Sequence, residues 1–258
     1  MSFFPILAGG ALGFDAAAEN FFTRSNITNA TQKTATNQLV LDLKAASLWS
    51  LVTVLYPFVG GSAASHAENL ISSSFPITWA GGLTHNSGGV TGNGTTGYGN
   101  TGIAPTAFGT NSNIGLTTYP CRTDVPDDTV EIVIGVSETG AANTRLAVNW
   151  VNTFRNAMIA NVAANTVTVT AGTWTLTISG TAAKTYYNGA EIATGTGTGE
   201  IAGTQPIYIL ALNQAGVVTF FSRQRMAMAA LHSGLDATQA ANLRTAVQTF
   251  QTTLGRQV

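Results

Sequence analysis

From about residue 58 onward, short runs of alternating threonine and apolar residues are separated by glycine-containing turns. Side chains two positions apart lie on the same face of a β-strand, so such a run predicts a half-buried antiparallel strand. The clearest runs are Thr129–Val136, Asn165–Thr170, Trp174–Ile178, Pro206–Leu212, Val217–Phe221 and Arg225–Leu231. We expect roughly eight to twelve strands at this spacing, which is typical of a sandwich or a barrel.

One hairpin is specified by two residues. Asn188-Gly189 follows Tyr187 and precedes Ala190. Asn-Gly accepts a positive φ at both central positions of a tight turn, which is what a two-residue hairpin requires. The sequence therefore predicts two adjacent antiparallel strands that meet at this turn.

The stretch before the strands has a helical pattern. A short helix is predicted over 15–24, and Thr28 or Asn29 is predicted to cap a longer one, with Gln32 at the capping-box position. Apolar residues then recur at helical spacing through Leu39, Leu43 and Ala46. We expect a further helix over 47–55 that ends at Tyr56-Pro57, because a residue before proline avoids the helical conformation.

The C-terminal region predicts another helix. Asp236 and Gln239 form a capping box, and Gly255 follows as a stop signal. Apolar residues on one predicted helix face are Ala240, Leu243, Val247, Phe250 and Leu254. The predicted organisation is therefore an apolar docking segment over 1–14, a helical segment over 15–57, and a β-sandwich over 58–258 that ends in a helix over 236–254.

The charge content excludes several functional classes. Only 9% of the 258 residues are charged, where a soluble domain usually has about 25%, and the net charge is −1. No basic surface for nucleic acid and no polybasic membrane arm are expected. With 45% apolar residues, the chain is expected to fold. Free proteins rely on surface charge for solubility, so the low charge favours a role in a permanent assembly.

The first 14 residues are apolar but do not resemble a targeting signal. They carry no basic residue, and glycine and proline interrupt them. They are also shorter than the ~20 residues that span a bilayer. We interpret the segment as a docking peptide for a partner protein. Its proposed docking side chains are Phe3, Phe4, Ile6 and Leu7.

Residues 84–115 are rich in glycine, threonine and asparagine and are predicted to form a long polar loop at one end of the sandwich. Within it Tyr98 is the best candidate for stacking on a sugar, and three asparagines could hydrogen bond sugar hydroxyls: Asn93, Asn100 and Asn111. The remaining aromatic candidates are expected in the core, as aromatic residues on strands usually are: Trp79, Tyr119, Trp150, Trp174 and Tyr186.

No residue pattern specifies a catalytic centre, a cofactor or a metal. Carboxylates cluster at Asp124, Asp127, Asp128 and Glu131. We interpret them as a turn followed by one solvent-facing acid at Glu131. A calcium site and a glycan-cleaving centre there remain alternatives. Glycosidic cleavage needs two carboxylates about 5–10 Å apart, and no strand offers such a pair.

Other motif-like patterns have simple explanations. His66, His85 and His232 are the only histidines, and no two of them have metal-ligand spacing. The glycines at 92, 94, 97, 99 and 102 match a dinucleotide fingerprint by letters, but no helix is predicted after them. His232, Ser233 and Asp236 are too close in sequence for a converging triad, and Asp236 already serves as a cap. Cys121 is alone, so no intrachain disulfide is possible.

Several segments in fixed order resemble one known module. They are Phe58-Val-Gly-Gly61 with His66 and Asn69-Leu70, Gly92–Tyr98, Tyr187-Asn-Gly189, Leu231–Leu235 and Thr249–Arg256, preceded by the helical segment Thr31–Leu43. Together they resemble the concanavalin A-like, laminin-G-like jelly-roll module of bacteriophage virion and tail proteins. The resemblance covers residues 15–258. It implies a mainly β, antiparallel jelly-roll sandwich with an N-terminal helical segment and a C-terminal helix.

The resemblance also implies a function. We expect a structural protein of a bacteriophage virion, either a capsid decoration or a component of the tail, neck or fibre attachment. It would be assembled in the bacterial cytoplasm and would be oligomeric in the particle. Its partners would be other virion proteins, with no nucleic acid and no membrane span, and no enzymatic activity is expected. The alternatives are a receptor-binding protein that recognises a host surface glycan and, less favoured, a glycan-cleaving enzyme.

Overall fold

The computed structural model describes residues 13–108, 113–121, 130–138, 145–150, 156–158, 171–196 and 203–258, with backbone alone over 145–150 and 156–158. The predicted strand at Asn165–Thr170 lies outside these residues. The helices are α1 (Ala16–Ser25), α2 (Ala30–Ala45), α3 (Ala63–Ala67) and α4 (Ala237–Thr253), with 3-10 turns at Trp49–Leu51 and Pro105–Phe108. Among the described helices, none is both long and apolar enough to cross a bilayer.

The described strands form two sheets, which we call sheet I and sheet II. Strands of the first half are β1 (Val52–Tyr56), β2 (Thr78–Ala80), β3 (Thr84–Asn86), β4 (Gly89–Thr91), β5 (Tyr98–Asn100), β6 (Asn113–Pro120), β7 (Glu131–Ser137) and β8 (Arg145–Trp150). Strands of the second half are β9 (Asn156–Met158), β10 (Trp174–Ser179), β11 (Ala182–Tyr187), β12 (Ala190–Thr196), β13 (Tyr208–Ile209), β14 (Leu212–Gln214), β15 (Val217–Thr219) and β16 (Arg225–His232).

Sheet I has the order β12-β11-β10-β6-β16-β4-β3, and β1 also pairs with β16. Sheet II has the order β15-β14-β7-β13-β5-β2, with β8 on β7 and β9 on β8. All described pairings are antiparallel except that of β14 with β7. The prediction of a mainly β antiparallel sandwich with N-terminal helices and a C-terminal helix is confirmed.

Sheet I separates two apolar cores. Trp174 and Leu176 of β10 pack with Val133 of β7 and Ile209 of β13 in the core between the sheets. The other face of sheet I is covered by helices, whose side chains at Phe21, Leu39, Leu43, Val247 and Phe250 pack with Met228 and Ala230 of β16. β16 contributes to both cores because successive side chains on a strand point to opposite faces. The helices are therefore a packed third layer of the molecule.

The helix caps predicted at Asn29 and Asp236 are present, and Asp15, which was predicted as the first residue of a helix, caps α1 instead. Asp15 accepts a hydrogen bond from the N–H of Ala17, and Asn29 accepts one from the N–H of Gln32. Asp236 and Gln239 form the complete capping box of α4. The side chain of Gln32 does not complete a box at α2, because its Oε1 accepts from the N–H of Gly60 instead.

The predicted hairpin is also present. β11 ends at Tyr187 and β12 begins at Ala190, with Asn188 at φ 48° and Gly189 at φ 81°. Both turn residues thus adopt the positive φ that a tight two-residue hairpin needs.

The predicted helix over 47–55 is wrong. Its C-terminal half is β1, which runs antiparallel to β16, with Val54 opposite Leu231 and Leu55 opposite Ala230. The sequence Val52-Thr-Val54 is rich in β-branched residues, which favour strands. An apolar run of this length does not distinguish a strand from a buried helix by periodicity alone, and pairing with β16 decides between them.

The prediction of a long polar loop over 84–115 is also wrong for its described part. This stretch contains β3, β4, β5, the 3-10 turn at Pro105–Phe108 and the start of β6. Glycines allow the close packing of its backbone. A side chain at Gly92 would lie 1.9 Å from the carbonyl oxygen of Ser222, and one at Gly89 would lie 2.1 Å from that of Met226. These glycines therefore indicate tight strand packing and not a solvated loop.

Candidate functional site

Three aromatic rings meet on sheet II. The ring centroid of Tyr98 lies 4.8 Å from that of Tyr208 and 6.4 Å from that of Phe221. We call Tyr98, Tyr208 and Phe221 the Tyr98 platform. Tyr98 and Phe221 are half-buried and Tyr208 is nearly covered. Partial exposure of clustered rings gives a surface that can contact an apolar face of a ligand.

Strand register explains why these groups share one face. Tyr208 is directly opposite Asn100, and Tyr98 lies two residues before Asn100 on β5. Directly opposed residues and residues two apart point the same way. Gly99 lies between them and faces the core, since a side chain there would collide with the ring of Trp79. Tyr98, Asn100 and Tyr208 therefore project from the outer face of sheet II.

Small residues flank the two tyrosines across the sheet. Tyr98 is opposite Ala80 on β2, and Tyr208 is opposite Gly135 on β7. Neither neighbour can cover a ring. The hydroxyl groups of Tyr98 and Tyr208 make no hydrogen bond with any described residue. Burial, followed by the proximity of Tyr98, raises the pKa of Tyr208, so this phenol stays protonated and can donate a hydrogen bond near neutral pH.

The predicted asparagines differ in how much hydrogen-bonding capacity remains. Asn100 accepts a hydrogen bond from the N–H of Gly102 through Oδ1, and its amide nitrogen has no partner among the described residues. Asn93 organises its own turn: its Oδ1 accepts from the N–H groups of Thr95, Thr96 and Gly97, and its Nδ2 donates to Thr96 Oγ1. A sugar contact of Asn93 stays a prediction, and Asn111 lies outside the described residues.

The other aromatic candidates occupy the positions expected of core residues. Tyr119, Trp174 and Tyr186 are buried, and Trp79 is half-buried with its Nε1–H donated to the carbonyl oxygen of Ala63. The side chain of Trp150 lies outside the description. Tyr208 and Phe221 were not singled out from the sequence, because only strand pairing brings them beside Tyr98.

The docking side chains predicted near the N-terminus, Phe3, Phe4, Ile6 and Leu7, lie outside the described residues. So do three of the four clustered carboxylates: Asp124, Asp127 and Asp128.

Glu131 does not face solvent, which corrects the prediction made for it. The residue is 1% exposed. Its Oε2 accepts from Ser222 Oγ at 3.0 Å and from the N–H of Arg223 at 2.8 Å, while its Oε1 pairs with Nε of Arg223. A buried carboxylate requires such partners because desolvation without them is costly. The sequence did not indicate this role, since Arg223 is 92 residues away.

This ion pair supports the platform. The side chain of Arg223 packs over Gly94, where an added side chain would meet its Cγ at 2.6 Å. The N–H of Gly94 donates to the carbonyl oxygen of Ser222. Glu131 therefore fixes both the turn that contains Asn93 and the segment that contains Phe221.

Two histidines meet, although no spacing in the sequence pairs them. Nδ1 of His66 lies 3.0 Å from Nδ1 of His85, so one ring donates and the other accepts. His66 is buried, and Phe58 and Trp79 contact the pair. Burial, followed by the charges of His85 and Arg256, lowers the pKa of His66 to about 3, and burial also lowers the pKa of His85. The pair is neutral at pH 7.

Among the described residues, no third side chain joins the histidine pair to form a metal site. No group of three or more His, Cys, Asp or Glu side chains that could hold a metal is found among the described residues. His232 is separate from the pair: it is buried, with Nδ1 at 2.7 Å from the carbonyl oxygen of Ser233 and Nε2 at 2.9 Å from Thr117 Oγ1. Its Nδ1 therefore carries the proton, because a carbonyl oxygen only accepts.

No protein-family model matches the sequence, and no curated protein has a matching sequence. Solved structures share the fold. A Trypanosoma rangeli sialidase in complex with 2,3-difluorosialic acid superposes with a TM-score of 0.58 at 13% identity, over 84% of this chain and 39% of that chain. The same sialidase in complex with sialic acid gives 0.53 at 16%, over 81% and 38%.

A second kind of neighbour is matched almost along its whole length. Domain 4 of AbnA, a GH43 extracellular arabinanase from Geobacillus stearothermophilus, in complex with arabinotriose, superposes with a TM-score of 0.52 at 15% identity. The match covers 75% of this chain and 98% of that domain. By contrast, the chain spans only 38–39% of the length of the two sialidase chains. At these identities the likeness shows the fold, which is a β-sandwich found in glycan-active proteins.

These neighbours contradict the prediction that the chain is not an enzyme, because they are sialidases and part of an arabinanase. The prediction relied on finding no pair of carboxylates in one strand. That reasoning is insufficient, since catalytic side chains converge in space from distant positions. The neighbours support the β-sandwich that the resemblance implies. They do not support its assignment to a phage-specific or concanavalin A-like module.

Proposed function

We propose that this protein binds carbohydrate through the Tyr98 platform. The observation that carries the proposal is the position of two tyrosine rings beside Asn100 on one sheet face, with hydroxyl and amide groups that have no partner among the described residues. A sugar ring has an apolar face of C–H groups and a rim of hydroxyls. Aromatic faces with adjacent donors and acceptors match both.

The comparisons support this proposal by analogy. The arabinanase domain that aligns over nearly its whole length is described in complex with arabinotriose, and the sialidase is described in complex with sialic acid. A short neutral oligosaccharide and a sialylated glycan are therefore the first ligands to test. Since fold alone does not specify function, the site residues carry the argument.

Replacement of Tyr98 by alanine is expected to weaken glycan binding roughly 30-fold, about 2 kcal/mol, as for truncation of a central aromatic anchor. Tyr98→Phe keeps the ring and is expected to lose less than Tyr98→Ala, because only the hydroxyl bond is removed. A glycan array followed by calorimetry with arabinotriose or a sialylated trisaccharide measures both. Absence of binding across the array would contradict the proposal, as would equal affinities for wild type and Tyr98→Ala.

We also propose that the protein is a component of a bacteriophage particle, located in the virion and docked on other virion proteins by the segment over 1–14. This second proposal rests on the sequence resemblance and on the low charge content. One described feature favours it: Phe14, where this segment enters the fold, is 38% exposed and contacts Phe22 at 5.3 Å between ring centroids.

The docking proposal predicts different behaviour for two chains. The full-length protein is expected to self-associate, and a chain of residues 15–258 is expected to be a soluble monomer, because the apolar segment lacks its partner. Size-exclusion chromatography with light scattering distinguishes the two. Identical monomers would show that the segment packs on its own domain and would remove the support for docking.

A further inference from the structure

A polar cavity lies where the C-terminus of α4 meets the start of α2 and the β3–β4 hairpin. Its volume is about 400 Å³. It is lined by Asn29, Thr31, Gln32, Ser87, Gly88, Arg225, Leu254, Gly255 and Arg256. We call it the two-arginine cavity. None of the lining residues that the structure describes is acidic, and none of them belongs to the Tyr98 platform.

Arg256 is nine-tenths buried without an acidic partner among the described residues. Its guanidinium donates to Gln251 Oε1 at 2.9 Å and to the carbonyl oxygens of Phe58 at 2.9 Å and Pro57 at 3.2 Å. These acceptors are neutral. Burial lowers its pKa to about 10, which still leaves it charged at neutral pH. A buried positive charge with only neutral acceptors lacks the compensation that buried charges usually have.

Arg225 also lacks a carboxylate partner among the described residues. Its Nε lies 3.0 Å from Cys121 Sγ, and one terminal nitrogen lies 3.4 Å from the carbonyl oxygen of Cys121. The side chain runs along the β3–β4 hairpin turn and passes close to Gly88. A guanidinium carries five N–H groups, so donors on Arg225 have no acceptor in the described protein.

The start of α2 adds to this positive environment. Asn29 caps the helix, its first turn contains no acidic residue, and the cavity is lined by Thr31 and Gln32 of that turn. The N–H groups of a first helical turn point away from the helix body and carry a partial positive charge. Three sources of positive potential thus converge on one cavity, and no acidic side chain is found among its described lining residues.

We propose that the two-arginine cavity binds an oxyanion, a carboxylate, phosphate or sulfate group, carried on a small polar molecule such as an acidic sugar. Guanidinium groups recognise these planar or tetrahedral oxyanions through paired hydrogen bonds. The volume argues for a carrier, since ligand pockets of about 300–1,000 Å³ hold small organic molecules and not isolated ions. The inference does not depend on glycan binding at the Tyr98 platform.

The test uses the full chain and four small molecules: inorganic phosphate, sulfate, glucuronate and uncharged glucose. We expect the first three to shift the arginine Nε–H resonances of Arg225 and Arg256 in NMR titrations, and glucose to leave them unchanged. Tighter binding of glucuronate than of phosphate indicates a carboxylate ligand, and the reverse order indicates a phosphorylated or sulfated one. Either order supports an oxyanion site.

Substitutions of arginine test whether the anions bind at the two-arginine cavity. Arg225→Gln is expected to weaken binding roughly tenfold or more, because a charge-assisted pair of hydrogen bonds is lost. Arg225→Lys keeps the charge without the fork and is expected to bind with intermediate affinity. Arg244→Gln removes the same charge from α4 outside the cavity and is the matched control. Tyr98→Ala should leave phosphate binding unchanged, which separates this site from the Tyr98 platform.

The proposal is overturned if none of the anions shifts the two arginines in the wild-type chain. It is also overturned if Arg225→Gln and Arg244→Gln weaken binding equally, since the effect would then be one of net charge. Should Arg225→Gln fail to fold, the wild-type titrations and Arg225→Lys still decide between these outcomes.

Discussion

Replacement of Glu131 by alanine is expected to lower the free energy of unfolding by about 3–5 kcal/mol. Its carboxylate is buried and accepts from Ser222 Oγ and from two N–H groups of Arg223. Removal leaves the hydroxyl of Ser222, which is fully buried, and two N–H groups of Arg223 without this acceptor. Loss of Glu131 is therefore more costly than loss of a surface pair, because water cannot replace the carboxylate at Ser222.

Urea denaturation measures the loss of unfolding free energy, and an exposed ion pair serves as the control. Lys184 and Glu191 form an ion pair whose side chains are both about one-third exposed, so Glu191→Ala is expected to cost at most about 1 kcal/mol. Glu131→Gln keeps the size of the side chain and should fall between the two. A loss below about 1 kcal/mol for Glu131→Ala would show that the pair does not stabilise the fold.

The same geometry affects how activity data for Glu131 variants should be interpreted. Ser222 and Arg223 follow Phe221 directly, and Arg223 packs over Gly94. Loss of Glu131 is therefore expected to disturb the Tyr98 platform as well as the stability. Reduced function of a Glu131 variant alone would not identify a catalytic carboxylate.

Replacement of Trp174 by alanine is expected to cost about 3–5 kcal/mol, the range for large aromatic side chains in a core. Trp174 is fully buried between the sheets, and its ring centroid lies 4.5 Å from that of Tyr187. It lies on β10 opposite Thr118 of β6 and Tyr187 of β11, so three strands border the cavity that would result. Neighbours in a sheet cannot collapse fully into such a space.

The control is Tyr98→Ala, which also truncates an aromatic residue on a strand. Because Tyr98 is half-buried, we expect its stability cost to be well below that of Trp174→Ala, while its effect on glycan binding is large. Thermal and urea unfolding measure the first effect, and calorimetry measures the second. Comparable stability losses in the two variants would show that Tyr98 is a core residue.

Local features of the fold were predictable from the sequence. The caps at Asn29 and Asp236 and the hairpin at Asn188-Gly189 depend on contacts within about four residues, so the local sequence is enough to predict them. The alternating runs likewise predicted strands such as β10 and β16. The run at 47–55 failed because an apolar segment of that length fits either a helix or a strand.

The candidate site was predictable in part. Tyr98 and Asn100 were named from the sequence as residues of a polar loop, and their shared face follows only from β5, on which they lie two residues apart. Tyr208 and Phe221 were missed because they lie more than 100 residues from Tyr98 in the sequence. Only the pairing of β5 with β13 brings Tyr208 beside Tyr98 and Asn100. The pairing of His66 with His85 was missed although the two are only 19 residues apart, because the contact joins two different elements, α3 and β3.

The sequence by itself determined the caps at Asn29 and Asp236, the Asn188-Gly189 hairpin and many of the helices and strands, because neighbouring residues set the backbone conformation and determine which face is apolar. Over 47–55 and 84–115 the local pattern was ambiguous, and strand pairing decided the conformation. Tertiary structure alone decided which polar groups meet. Arg256 bonds to carbonyl oxygens 198 and 199 positions earlier, and Glu131 to Arg223 across 92 positions. Such contacts depend on how sheets and helices stack, and no local pattern records that. The buried ion pair, the Tyr98 platform and the two-arginine cavity all arise in this way.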